Sequence, residues 1–160
     1  MYNGTILIFI ILICYLVIFM VVRYRMNNNG EYNISELTDQ WIEEVTVNHD
    51  PEAIYKLFCP DGNLVGTVSQ VKRKGVDIKY YFDYFAKLDG IKVVSKNYKI
   101  SKVADGVYLN TAFITWYWNG LKEPVTARMT FLYRDKCIFQ LHSSVLPDLN
   151  EKLLEISSLH

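Results

Sequence analysis

The chain has 160 residues, about half of them apolar, with 12 Tyr and 8 Phe, enough for one domain with a real core. Its 17 basic and 17 acidic side chains cancel, which removes the electrostatic case for nucleic acid as a partner. Its 3 cysteines and 3 histidines form no ligand-spaced cluster, so neither a metal site nor a cofactor is expected.

From Thr5 to Val22 the chain carries no charged residue. About 20 apolar residues cross a hydrocarbon core, and Met1 to Val22 suffices. A secretory signal would need a positive start and a small-residue cleavage site, and neither is present. A core helix would show a polar face, and this segment has none. Residues 1–25 therefore read as one uncleaved transmembrane helix with a basic flank. Arg23 and Arg25 put the following domain in the cytosol by the positive-inside rule. Free thiols at Cys59 and Cys137 fit that side; a lumenal domain would let them pair. The sequon Asn33-Ile34-Ser35 is usable only on the lumenal side, so glycosylation there would refute the cytosolic topology. Residues 26–35, with Asn27-Asn28-Asn29-Gly30, form a polar linker.

The domain proper covers residues 36–147. Leu37, Trp41 and Val45, with Ile34 and Ile42, make the stripe of an amphipathic helix from about Glu36 to Val47. Asp50-Pro51-Glu52 starts a short second helix, with Asp as N-cap and Pro at the first helical position. Asp61-Gly62 reads as a turn and Leu64 to Val68 as a short strand. Lys72, Arg73 and Lys74 read as a solvated basic loop, with contact to anionic lipid as the sharper alternative. Ile78, Tyr81, Phe82, Phe85 and Leu88 share one face of a helix from Val76 to Leu88, the pattern of a core rather than a cofactor site. Four strands follow: Ile91 to Val103, Val107 to Trp118, Pro124 to Tyr133 and Cys137 to Val145, before Pro147. Residues 148–160 are a tail in which Leu149, Leu153 and Ile156 suggest a short helix. Helices first and then a strand meander predict an α+β domain, its helices on one side of a curved antiparallel sheet.

The last two strands carry polar residues at every second position. Side chains on a strand alternate faces, so Thr126, Arg128 and Thr130 share a face, as do Gln140, His142 and Ser144. Ala127, Met129, Phe131 and Tyr133 take the other face, with Phe139 and Leu141. Arg134, Asp135 and Lys136 make the hairpin turn. A register placing Arg128 opposite His142 would set a cation beside an imidazole among hydroxyls, as wet surface or as a pocket lining.

Taken together, these pieces resemble a family. Trp41 with Asp50-Pro51-Glu52 and Leu57-Phe58, Leu64 with Gly66-Thr67-Val68-Ser69, and Gly75 with Ile78 and Tyr81-Phe82 stand in its order. So do Val93-Val94 with Tyr98, the aromatic strand to Trp118, Ala127 to Phe131, and Leu141 to Ser144 before Pro147. The chain resembles the SnoaL-like branch of the nuclear-transport-factor superfamily, the cystatin-like cone, and most of all the subgroup of calcium/calmodulin-dependent kinase II association domains. The resemblance implies a curved sheet round a long helix, a cavity at the open end, and homo-association, most often as dimers, through the sheet's outer face. It implies that Arg128 and His142 point into the cavity. Leu141 departs from relatives that carry a second His there, and Ser143 and Ser144 stand where the kinase hub carries a basic residue.

Three roles compete for Arg128 and His142: mutual satisfaction at a sheet end, binding of a small polar or anionic ligand, and catalysis. Ligand binding would use Arg128 as charge-assisted donor, with His142, Ser144, Thr130 and Trp116 around it. Trp116 and Trp118 equally suit the core or an interface. Catalysis of the isomerase or cyclase type would use His142 as general base. No acid is placed beside it by the sequence, and Ser143 and Ser144 lack the strand-turn-helix setting of a hydrolase nucleophile. The sequence thus favours a membrane-anchored association or small-ligand-binding module over an enzyme.

Overall fold

The computed structural model describes residues 12–21, 34–67, 69 and 71–145. The chain divides into two compact units, Met1–Asn33 and Ile34–His160. In the first, residues 12–21 are helical and all exposed. Among the described residues no helix is long and apolar enough to cross a membrane. The remainder of the anchor expected over 1–25 lies outside them, as do most of the linker and the tail helix.

The second unit begins with helix α1, residues 34–43, which starts inside the expected linker. Ile34, Thr38, Trp41, Ile42 and Val45 form its buried stripe. The helix widens into a π turn at Glu44–Asn48. Thr46 Oγ1 donates back to the Ile42 carbonyl at 2.9 Å, the type of side-chain bond that disturbs a regular ladder. His49, at φ 50°, ends it. The cap of α2 (Pro51–Lys56) is as expected: Asp50 accepts from the backbone N–H groups of Glu52 and Ala53. Helix α3 spans Val76–Phe85 and buries Ile78, Tyr81, Phe82 and Phe85.

Six strands form one sheet: β1 (Phe58–Val65), β2 (Lys72–Lys74), β3 (Lys92–Ala104), β4 (Val107–Tyr117), β5 (Val125–Arg134) and β6 (Cys137–Val145). Their order is β2-β1-β6-β5-β4-β3. The sheet is mixed rather than antiparallel throughout, because β1 runs parallel to β6. The expected Asp61-Gly62 turn is instead part of β1, within a register shift between Phe58 and Asn63. Gly62 permits this: a Cβ there would lie 2.8 Å from the Ile138 carbonyl and 2.9 Å from that of Cys59. The expected basic loop is the edge strand β2, paired with β1 through Leu64 opposite Arg73. Charged residues on a short edge strand discourage further strand pairing.

The helices cover one face of the sheet. Trp41 is the hub of that core, edge-on to Phe82, Trp116 and Phe131 at 5.9, 6.0 and 5.3 Å. Beneath α1 lies a buried polar knot. Asn110 Nδ2 donates to Thr38 Oγ1 at 2.8 Å, Thr38 and Tyr133 share a hydroxyl bond of 2.8 Å, and Thr38 also donates to the Ile34 carbonyl. At the helix margin Asp39 pairs with Lys96 and accepts from the Tyr98 hydroxyl at 2.6 Å. Burial, and then the Asp39 carboxylate, push the Tyr98 phenol well above its ordinary value; burial does the same to Tyr133.

Cys59 and Cys137 form a disulfide, with Cα atoms 5.0 Å apart across 78 residues of sequence. The expectation of free thiols is thereby corrected. The parallel pairing of β1 with β6, invisible in the sequence, is what brings them together.

Candidate functional site

Strands β5 and β6 place Arg128 and His142 by a simple alternation. Ala127, Met129, Phe131, Leu141 and Ser143 are buried, and the residues between them turn the other way. Arg128 and His142 are therefore exposed on the outer face, away from the helices. This corrects the placement implied by resemblance. A strand sends only one alternate set inward, and here the inward set is the apolar one.

The register also differs from the one considered. Arg128 lies between Phe113 on β4 and Ser144 on β6, and His142 lies between Thr130 and Val65. Arg128 and His142 are thus diagonal neighbours rather than a direct pair. Thr130 and Ser144 are half-buried on the same outer face. Trp116 is buried on the inner face, edge-on to Phe85 at 5.6 Å and to Trp41, and so belongs to the core. Phe139 leaves the expected core face: the register slips between Leu132 and Tyr133, and its ring lies 4.4 Å from the Arg134 guanidinium.

Among the described residues little space is left between the helices and the inner face of the sheet at this end. A gap of about 10 Å³ remains between Trp41, Tyr81, Phe85, Met129 and Ser143, room for about one water. Tyr81 lies across Gly66, where a Cβ would overlap its ring. Thr67 and Ser143 share a hydroxyl bond beside it. Trp41 Nε1 is buried on one side of the gap, without a hydrogen-bond partner among the described residues.

Two open depressions lie near this end of the sheet. One, of about 520 Å³, is lined by Val65, Thr67, Ser69, His142, Ser144 and neighbours. It gathers two of the sequence-selected residues, His142 and Ser144. The other, of about 430 Å³, is lined by Ser69, Arg73, Tyr80, Tyr81 and Tyr84, none of which the sequence reading selected as site residues. Their signal was nevertheless present, since Tyr80 and Tyr84 are one helical turn apart and off the core stripe of α3. Among the described residues no group of three or more His, Cys, Asp or Glu side chains is placed to hold a metal ion.

The outer face of β3 to β6 is the larger feature. Phe113 is 52% exposed there, amid Leu109, Thr111, Thr115, Thr126, Thr130 and Leu132. Lys99 and Arg128 are its cations on neighbouring strands.

No family model and no curated protein matches the chain. Solved structures do. A protein from Xanthomonas campestris, described provisionally as a calcium/calmodulin-dependent protein kinase II association domain, is 29% identical over 72% of this chain and 87% of its own, with a TM-score of 0.62. A domain of unknown function with a cystatin-like fold from Nostoc punctiforme is 14% identical over 80% and 83%, with a TM-score of 0.62. A protein from Streptomyces avermitilis, described provisionally as a dehydratase of the NTF2-like family, is 12% identical over 75% and 98%, with a TM-score of 0.66. With its helices on one face of a six-stranded mixed sheet and these likenesses, the chain has the cystatin-like cone fold shared by nuclear-transport-factor-like domains.

Proposed function

We propose that the domain is a homo-association module whose outer sheet face pairs with the same face of a second copy. The observation that carries this reading is the exposed Phe113 at the middle of a broad face that no described element of the chain covers. Contact with a second copy would bury Phe113, Leu109 and Leu132, the arrangement in which aromatic anchors carry most of the binding energy. The threonine rows around them give short hydroxyls rather than long mobile charges, so little side-chain entropy is lost on contact. The Xanthomonas campestris likeness, described as an association domain, lends support. The test is the mass in solution of the wild-type domain against Phe113→Asp: a dimer or larger assembly that dissociates on substitution supports the reading.

A second reading, binding of a small polar or anionic ligand, draws on the depression beside His142 and Ser144, with Arg128 on the diagonal as a charge-assisted donor. The isomerase or cyclase reading is favoured least. His142 is exposed, and the gap beside Trp41 and Met129 holds about one water rather than a ring system. In this proposal the apolar N-terminal segment anchors the domain to a membrane.

A further inference from the structure

The basic strand β2 and the outward side of α3 flank one edge of the sheet, and the association face leaves them unused. Lys72 and Lys74 are exposed, and no ion pair to Lys72, Arg73 or Lys74 exists among the described residues. The other cations of this segment are taken up: Lys79 pairs with Glu52 at 3.0 Å and Lys87 with Asp83 at 3.3 Å. Asp77, in the first turn of α3, is the remaining acid. The edge is therefore net positive on a chain whose formal charge is zero.

Its apolar groups are equally specific. Tyr80 and Tyr84 are 62% and 66% exposed, and Val71 and Val76 are exposed beside the strand. The core of α3 does not use these side chains. Between them lies the 430 Å³ depression, with Arg73 as its cation. Arg73 is oriented by its neighbours: it donates to the Val71 carbonyl at 3.0 Å and to Ser69 Oγ at 3.1 Å, and its guanidinium lies 5.0 Å from the Tyr81 ring centre. Two of its five N–H donors are used in those bonds, leaving others for an incoming anion.

We propose that this edge docks on an anionic phospholipid surface. Arg73 takes a headgroup phosphate in the depression, Lys72 and Lys74 add long-range attraction, and Tyr80 and Tyr84 enter the headgroup layer. Charge complementarity selects this occupant: uncompensated Lys and Arg beside exposed Tyr and Val match a negative interface with an apolar underside. An acidic protein would satisfy the cations but leave the two tyrosines and two valines without a matching layer.

The test uses the full chain mixed with phosphatidylcholine vesicles or with mixed phosphatidylcholine/phosphatidylserine vesicles, following amide hydrogen exchange. The proposal expects several-fold slower exchange across residues 71–86 on the anionic vesicles only, reversed by raised salt. Lys72→Glu/Lys74→Glu and Tyr80→Ser/Tyr84→Ser should each abolish that protection while β4 and β5 keep theirs, which reports an intact fold. Equal exchange on the two vesicle types overturns the proposal, as does protection that survives the charge reversal. Protection reproduced by soluble glycerophosphate without vesicles also overturns it, in favour of a free-anion site.

Discussion

Thr38 carries three hydrogen bonds under α1, to Ile34, Asn110 and Tyr133. A hydroxyl that satisfies two other buried side chains cannot be removed alone without stranding them. Thr38→Val should cost about 1–3 kcal/mol in a denaturant titration, because Asn110 and Tyr133 would lose partners in the core. Asn110 Oδ1 already lacks one among the described residues. The phenols add a pH dependence. Tyr98 and Tyr133 both titrate above the ordinary value of about 10 in the folded chain. Above that pH the unfolded state loses protons that the folded state keeps, so stability must fall as pH rises. Thermal melts should be flat with respect to these groups below pH 10 and decline above it, with a shallower decline in Tyr133→Phe.

At the scale of elements, Gly62 decides how β1 meets β6. Gly62→Ala would drive a Cβ into the carbonyls of Ile138 and Cys59, neither of which can swing away as a side-chain tip does. We expect a loss of about 1–3 kcal/mol, typical of overpacking, read by chemical denaturation. The same neighbourhood shows why some elements were legible in sequence and others not. The limits of β3 to β6 agree with the strand pattern within a residue or two, because alternation of Ala127, Met129, Phe131 and Tyr133 with polar neighbours is a local signal. The caps of α2 and the buried face of α3 were readable for the same reason. The parallel β1–β6 pairing, the edge strand β2 and the slip at Phe139 arise from contacts distant in sequence, and Lys72-Arg73-Lys74 has no strand propensity to announce them. Apart from Phe139, alternation divided the residues of β5 and β6 correctly into two sets. Which set faced the helices depended on what filled the cone, and Trp41, Phe85 and Met129 filled it. Arg128 and His142 consequently moved from a supposed lining to the outer surface.

For the whole molecule, the Cys59–Cys137 bond closes a long loop between the first and last strands. Constraint of the unfolded chain on this scale stabilises a domain by about 2–4 kcal/mol. Reduction, or the double change Cys59→Ser/Cys137→Ser, should lower stability by that amount, measured as a shift in the denaturation midpoint with and without reductant. The two proposals use distinct surfaces of the domain. The outer face of β3 to β6 suits a second copy, and the β2–α3 edge suits an anionic surface. These lie on different parts of the sheet, so both can be engaged at once.

Association is the central claim, and sedimentation equilibrium on a chain beginning at Glu31 tests it most directly. The wild type should sediment as a dimer or larger assembly. Phe113→Asp should sediment as a folded monomer, since the new carboxylate faces Arg128 across the β4–β5 pair and the fold can accept it. A wild type that remains monomeric at micromolar concentration, or an assembly unchanged by Phe113→Asp, would contradict the account.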